Sequence, residues 1–359
     1  MKASSDAHNQ LLAEMDRVHL TPTWVYAPKL VPKEPPVSYK PYLWKWDLLY
    51  RILIRAGELV SIERGGERRS MEVVNPALKD RHATTHTLGA ALQLVKPGEI
   101  APPHRHTAGA IRFIVKGRGA YTAVQGEKLF MEEGDLILTP RWMWHDHGNE
   151  TEEPIVWLDA LDYPFVNLLQ ASFFEPFPEP KQPITKPIGF TEERVGLARP
   201  AWECYPEEVP LATYRWRDTY RSLATLRESE GSPFDGVLLE YVNPFRQGPV
   251  LPTMACLIQL LRPGEHTKAH RHTSSTVYFV VKGSGQSIMD GERFDWAKGD
   301  FFLTPPWAWH EHANPTKEES ILFVMSDKPV LDAFGYYREE AYAENGHRQP
   351  VTKIFTPER

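Results

Sequence analysis

The sequence predicts a mainly β protein, two barrels related by duplication with helices at their periphery, and three observations predict it. The stretch LQLVKPGEIAPPHRHTAGAIRFIVKGRG, beginning at Leu92, returns as IQLLRPGEHTKAHRHTSSTVYFVVKGSG, beginning at Ile258, so that His104 matches His270 and Gly117 matches Gly283. A second block, GDLILTPRWMWHDHGN from Gly134, returns as GDFFLTPPWAWHEHAN from Gly299. Within each copy, short β-branched and aromatic runs stop at Lys-Gly or at proline, the punctuation of antiparallel strands. Self-similarity over such a length means two copies of one structural unit, and short strands separated by turn signals close into a sandwich or barrel.

Along the chain, residues 5–18 and about 43–56 have helical patterning, which makes 1–60 an N-terminal helical arm. Residues 61–165 form the first barrel. Residues 166–220 are a connector, within a Pro- and aromatic-rich stretch from 163 to 215. The second barrel spans 221–327, and 328–359 is a C-terminal helix, over about 328–346, with a tail. Thirty-two prolines in 359 residues fit short strands and structured loops better than long helices.

Composition narrows the function. The chain is 42% hydrophobic and 25% charged, and its formal charge of −6 comes without a long basic block. That pattern predicts neither a nucleic-acid footprint nor an anchor to an anionic membrane. No apolar run approaches the roughly 18 residues that span a bilayer, and MKASSDAHNQLLAEMDRVHL lacks the apolar centre of a secretory signal. Two cysteines, Cys204 and Cys256, are too few for a disulfide scaffold or a cysteine-based zinc site. The expected location is the cytoplasm.

The chemistry is carried by histidines. On an extended strand the sequence His104-Arg105-His106 turns both imidazoles to one face. A third, His145, follows Trp-Met-Trp and belongs beside a neighbouring strand. Together they make a facial set of nitrogen donors suited to first-row metals. A lone histidine is more often a satisfied core residue; an H-x-H, a distant third histidine and a repeat carrying all three favour metal.

These residues carry a resemblance. Gly98, His104, His106 and Gly117 fit the first cupin motif, and Gly134, Pro140, His145 and Asn149 fit the second. Two departures stand out: Ala110 and Ile111 occupy the positions of the usual glutamate ligand, and Trp142 replaces the glycine after the proline. A three-histidine set without carboxylate resembles the ring-cleaving subgroup of gentisate, salicylate and 1-hydroxy-2-naphthoate 1,2-dioxygenases. The likeness continues through RRSMEVVNPAL, AYTAVQGEK, WHDHGN and IVWLDALD. It implies a bicupin, two double-stranded β-helix (jelly-roll) barrels of which the first is catalytic. It also implies Fe(II) on His104, His106 and His145, a small aromatic acid and O2 as substrates, and a homo-oligomer, by resemblance a tetramer. The leading expectation is cleavage of gentisate between C1 and C2 to maleylpyruvate. Salicylate or 1-hydroxy-2-naphthoate is the close alternative, and a non-catalytic metal-binding cupin is the distant one. The missing glutamate argues against an oxalate-decarboxylase-like manganese enzyme. Three neutral nitrogens leave a divalent ion its full charge, which suits an anionic substrate that chelates through carboxylate and phenol oxygens.

Arg112 is the most informative residue besides the histidines. It alternates with Ala110 and Ile114 on an apolar strand, and a buried guanidinium requires an anion. The anion is either a substrate carboxylate, which its fork matches, or an internal partner, of which Asp159 is the candidate. The repeat replaces Arg112 with Tyr278 and Asp159 with Val324, which puts substrate chemistry in the first lobe. By resemblance, Arg68 rather than Arg69 points to the site, Gln93 contacts substrate, and His147 bonds substrate or oxygen. Gln93 recurs as Gln259, so a fold role is nearly as open for it, and the recurrence of His147 as His312 weakens its assignment to the site. Asp159 is expected to orient His147 or an arginine. Ala91 lines the pocket and makes room for a ring. Trp142, Trp144, Trp307 and Trp309 are expected to pack the barrels. His270, His272 and His310 form a second complete set whose occupancy the sequence leaves open.

Overall fold

The computed structural model describes residues 2–61, 69–194, 212–244 and 247–358. Residues 1–38 and residues 39–359 are separate compact units. The first holds two helices, Lys2–Arg17 and Thr23–Leu30, where one was expected over 5–18. The second unit contains both lobes. Among the described residues no helix is long and apolar enough to cross a membrane.

Each lobe is a pair of sheets, antiparallel except where Lys353–Ile354 adds a parallel edge strand beside Glu292–Ala297 in the second lobe. In the first, one sheet runs Thr213–Tyr214, Leu136–Thr139, Ala110–Lys116, Ile155–Leu161, Gly89–Val95, Ser70–Glu72. The facing sheet runs Phe174–Pro176, Ile100–His106, His145–Gly148, Tyr121–Val124, Glu127–Phe130. The second lobe repeats the order with Tyr42–Trp44 at the edge of one sheet and Glu339–Ala341 at the edge of the other. Strand alternation divides the side chains. Val95, Ile114, Ile137 and Trp157 fill the interior of the first barrel. The intervening residues Leu92, Ile111, Phe113 and Leu158 turn outward into one core shared with Ile258, Phe279 and Phe323 of the second lobe. At its centre Phe113 stacks on Phe323 at 4.2 Å. The strands Gly89–Val95, Ala110–Lys116 and Ile155–Leu161 are thus buried on both faces over nearly their whole length.

Three expectations need correction. The segment expected to be helical over 43–56 begins as a strand, Tyr42–Trp44, and becomes the helix Trp46–Leu59. The connector expected over 166–220 does not lie wholly outside the barrels: Phe174–Pro176 pairs with the His104–His106 strand, and Thr213–Tyr214 pairs with Leu136–Thr139. The C-terminal helix stops at Phe334, because Gly335 takes a left-handed conformation (φ 69°) and closes it. The chain then runs extended to pair Glu339–Ala341 with His270–His272.

The two short edge strands are exchanged between the lobes. Tyr42–Trp44 precedes the first barrel yet pairs with Phe301–Thr304 of the second, while Thr213–Tyr214 precedes the second yet pairs with the first. The Gly-Asp that opens each second motif is the receptor. The Trp216 N–H donates to Asp135 Oδ1 at 2.8 Å, and Arg215 Nη1 donates to Asp135 Oδ2 at 2.8 Å. In the other lobe the Trp46 N–H donates to Asp300 Oδ1 at 2.8 Å, and Lys45 completes the pair. Glycine is required beside each aspartate. Gly134 has φ +88°, and a Cβ there would lie 2.5 Å from the Trp216 ring. Asp135→Ala therefore leaves a helix N-terminus without its acceptor and takes from Arg215 one of two carboxylates, Glu192 remaining at 2.7 Å, and the expected cost is about 2 kcal/mol. Chemical denaturation would check it; a loss under about 0.5 kcal/mol, the surface-substitution scale, would show the exchanged strap to be incidental.

Candidate metal centre

The strand Ile100–His106 enters the site through a register shift between Ala101 and His104, where Pro102 and Pro103 cannot donate to the ladder. Beyond it His104 pairs directly with His145. Arg105 turns outward, and His104 and His106 turn inward as alternation requires. The ring centroids lie 4.4 Å apart for His104–His145 and 4.9 Å for His106–His145, and one donor atom from each residue falls within 4.8 Å of the others.

Hydrogen bonding fixes the tautomers. Nδ1 of His104 lies 3.0 Å from the Pro102 carbonyl, Nδ1 of His106 2.7 Å from Ala108 O, and Nδ1 of His145 2.8 Å from Met143 O. A carbonyl only accepts, so each Nδ1 carries the proton and each Nε2 keeps its lone pair. His145 Nε2 is buried with no hydrogen-bond partner, an arrangement whose cost a metal ion would remove. Burial first, then electrostatic interaction with His104, Arg112 and His106, holds the His145 imidazole well below its ordinary pKa, in the neutral form a metal needs. The donor set and its tautomers fit a divalent first-row ion. His104 and His106 are half-buried while His145 is buried, leaving the site an open side.

Around the triad the barrel interior is polar. Arg112 is buried, and its Nη1 donates to Thr139. Its Nε lies 3.2 Å from Asp159 Oδ1 but is not aligned as a hydrogen bond. The internal partner anticipated for Arg112 is therefore present. Asp159 also accepts from Trp157 Nε1 at 2.9 Å, so it orients the arginine and the indole. Burial raises the Asp159 carboxyl's pKa and lowers that of Arg112, and each charge counters the shift of the other. His147 follows His145 on the same face, with Nδ1 2.9 Å from Thr122 Oγ1. Burial first, then Arg112, keeps it neutral. Ala91 stands opposite Asp159 in register, and Gln93 opposite Trp157, both on interior-facing positions.

Arg68 lies outside the described residues. Arg69 is buried in another direction, donating to Val60 O and Leu94 O and pairing with Glu99. The tryptophans expected in the barrels are instead at the rim: the Arg105 guanidinium sits 4.6 Å from Trp142 and 4.4 Å from Trp144, and Arg271 repeats this with Trp307 and Trp309. They hold the outward arginine of each His-Arg-His by cation–π contact, since a residue between two inward histidines points away from the cavity.

Glu72, unremarked in the sequence, stands opposite Ala91 on the same face. Burial raises its carboxyl to about 8, with Asp159's charge adding, against hydrogen bonds from Tyr163 and Thr84. Only the register against Ala91 exposes it; in sequence it is one acid in a mixed run. A group bound to its proton more tightly in the folded state stabilises below its ordinary value of 4.5 and loses that contribution as pH rises through about 8. Glu72→Gln should thus unfold at a higher temperature than the parent at pH 9, with the gap closing towards pH 5. A pH-independent gap in thermal scans would refute this.

Comparisons with known proteins agree with this geometry. A profile of the cupin domain matches twice, at residues 91–161 and 257–326. A 5-aminosalicylate 1,2-dioxygenase of Comamonas sp is 50% identical over 351 residues, covering 95% of this chain and 92% of that protein. A gentisate 1,2-dioxygenase of Streptomyces sp is 37% identical, covering 92% and 94%. The crystal structure of salicylate 1,2-dioxygenase from Pseudoaminobacter salicylatoxidans with gentisate is similar at a TM-score of 0.86 and 34% identity, covering 93% of each chain.

Proposed function

The chain belongs to the bicupin family of ring-cleaving 1,2-dioxygenases, and from that membership we propose that it uses Fe(II) and O2 to open a 2-hydroxybenzoate between C1 and C2. The substrate carries an electron-donating group para to the phenol oxygen: gentisate, which would give maleylpyruvate, or its 5-amino analogue. Both relatives named for such compounds align over nearly the whole chain, and a para donor raises the electron density of a ring that must be oxidised.

The observation that carries the reading is Arg112, a buried cation close enough to depress both His145 and His147 and replaced by Tyr278 in the otherwise similar second lobe. Its Nε edge is set by Asp159 and its Nη1 by Thr139, which leaves Nη2 to take a substrate carboxylate. The bound ion would supply positive charge and exchangeable positions for the substrate's chelating oxygens and for O2. Ala91, opposite Asp159, leaves room for the ring where the second lobe has Leu257. Thr122 ties His147 through Nδ1, so Nε2 is the nitrogen left to exchange a proton with the substrate hydroxyl.

An oxygen electrode tests this with iron-loaded protein and four acids: gentisate, 5-aminosalicylate, salicylate and 1-hydroxy-2-naphthoate. Rapid uptake with the first two and slow uptake with the others is expected. Uptake led by salicylate or the naphthoate would move the substrate assignment, and none with any acid would end the enzymatic one.

A further inference from the structure

We propose that the second lobe binds a divalent transition-metal ion of its own, at His270, His272 and His310, as a structural site that ties the C-terminal segment to the barrel through Glu339. The inference does not rest on the ring-cleavage reading. It rests on donor geometry repeated with a different surround.

One donor atom from each of the three histidines lies within 4.8 Å of the others. Their tautomers are fixed as in the first lobe. Nδ1 of His272 lies 3.0 Å from Ser274 O and 2.9 Å from Ser274 Oγ, a hydroxyl that can accept as the carbonyl does, and Nδ1 of His310 lies 2.9 Å from Ala308 O. Nδ1 of His270 instead faces a carboxylate, Glu339 Oε1, at 2.9 Å. The two carbonyls and the carboxylate demand a protonated Nδ1, so the Nε2 lone pairs are the ones presented. His270 is 3% exposed, and its Nε2 has no hydrogen-bond partner. A buried imidazole acceptor left without a donor is costly, and a cation between the three lone pairs removes the cost.

The surround decides the role. Glu339 occupies the position that Phe174 has in the first lobe. Each is the first residue of the edge strand beside the H-x-H, Phe174 opposite His106 and Glu339 opposite His272. Phe174 stacks on His104 at 5.3 Å, whereas Glu339 binds His270. A carboxylate on the far nitrogen of a ligand histidine raises its basicity and holds its orientation. Phe234 stacks on His270 at 4.9 Å, and the three histidines are 3%, 8% and 1% exposed. Structural metal sites are enclosed in this way, while catalytic ones keep an open side. A cavity of about 340 Å³ does adjoin the triad, but Asp235, Glu240, Asp332 and Glu339 line it against a single lysine, Lys328. Its counterpart of Arg112 is Tyr278. An aromatic acid would meet negative charge there, so the remaining coordination position falls to water.

The test uses full-length protein stripped with a chelator and titrated with Co2+, followed by its visible absorption and by metal analysis. The parent should bind two ions per chain. The variant His104→Ala/His106→Ala should still bind one, with an imidazole-type cobalt spectrum and a higher Tm when loaded. Adding His310→Ala should abolish both the spectrum and the Tm rise. Should that triple variant fail to fold, Glu339→Gln in the double-variant background decides the matter, with an expected 10- to 100-fold rise in Kd for Co2+. No Co2+ bound by the double variant, or binding indifferent to both His310 and Glu339, would overturn the assignment.

Discussion

Replacing His104 with alanine should cost the protein its first-lobe ion and essentially all ring cleavage. The residue sits directly opposite His145 across the strand pair, and neither His106 nor His147 can reach its place, because alternation fixes each to its own position on the strand. Two nitrogens hold a divalent ion weakly, and loss of the ion forfeits several kcal/mol of charge stabilisation, so turnover should fall by roughly 1,000-fold or more. Metal analysis alongside oxygen uptake checks both halves. A variant with unchanged first-lobe occupancy and unchanged turnover would take His104 out of the ligand set.

The second large effect is expected at Arg112. Arg112→Ala should keep the metal but weaken substrate binding by about 2–5 kcal/mol, the scale for truncating one partner of a buried charge pair, or about 30- to 5,000-fold in Kd. Asp159 would lose its counter-charge at the same time. Because burial already raises that carboxyl's pKa, it would take up a proton rather than remain a bare anion, and thermal stability should drop modestly. The two effects separate in measurement. A large rise in KM at constant metal content marks a substrate contact, whereas a fall in Tm with KM and kcat unchanged would make Arg112 purely structural. Arg112→Lys keeps the charge but loses the fork that reaches Thr139 and Asp159 together, so it should recover only part of the binding.

The parts of this molecule that were legible in advance are those written in local periodicity. Strand alternation alone turns His104 and His106 inward and sets Arg112 among interior positions, and the repeat shows that Arg112 and Asp159 belong to one lobe only. What escaped depends on chain segments far apart in sequence. The exchanged strands are two or three residues long, too short for a periodic signal, and their partners lie in the other lobe. The resemblance of Lys45-Trp46 to Arg215-Trp216 is plain only once both are seen on the aspartates they share. Glu72 likewise becomes a site residue only through its register with Ala91. The C-terminal helix was overestimated because its pattern continues past Gly335, whose φ ends the helix regardless.

The crossed straps also bear on how such a molecule could arise. A hypothetical ancestor with a single lobe would have had an unpaired sheet margin and a spare N-terminal strand, and a second copy would have satisfied both by reciprocal loan. Joining two such chains end to end would make the loan permanent. Neither half of the present protein should therefore survive as an isolated monomer, for each would be missing the ribbon that its sibling supplies.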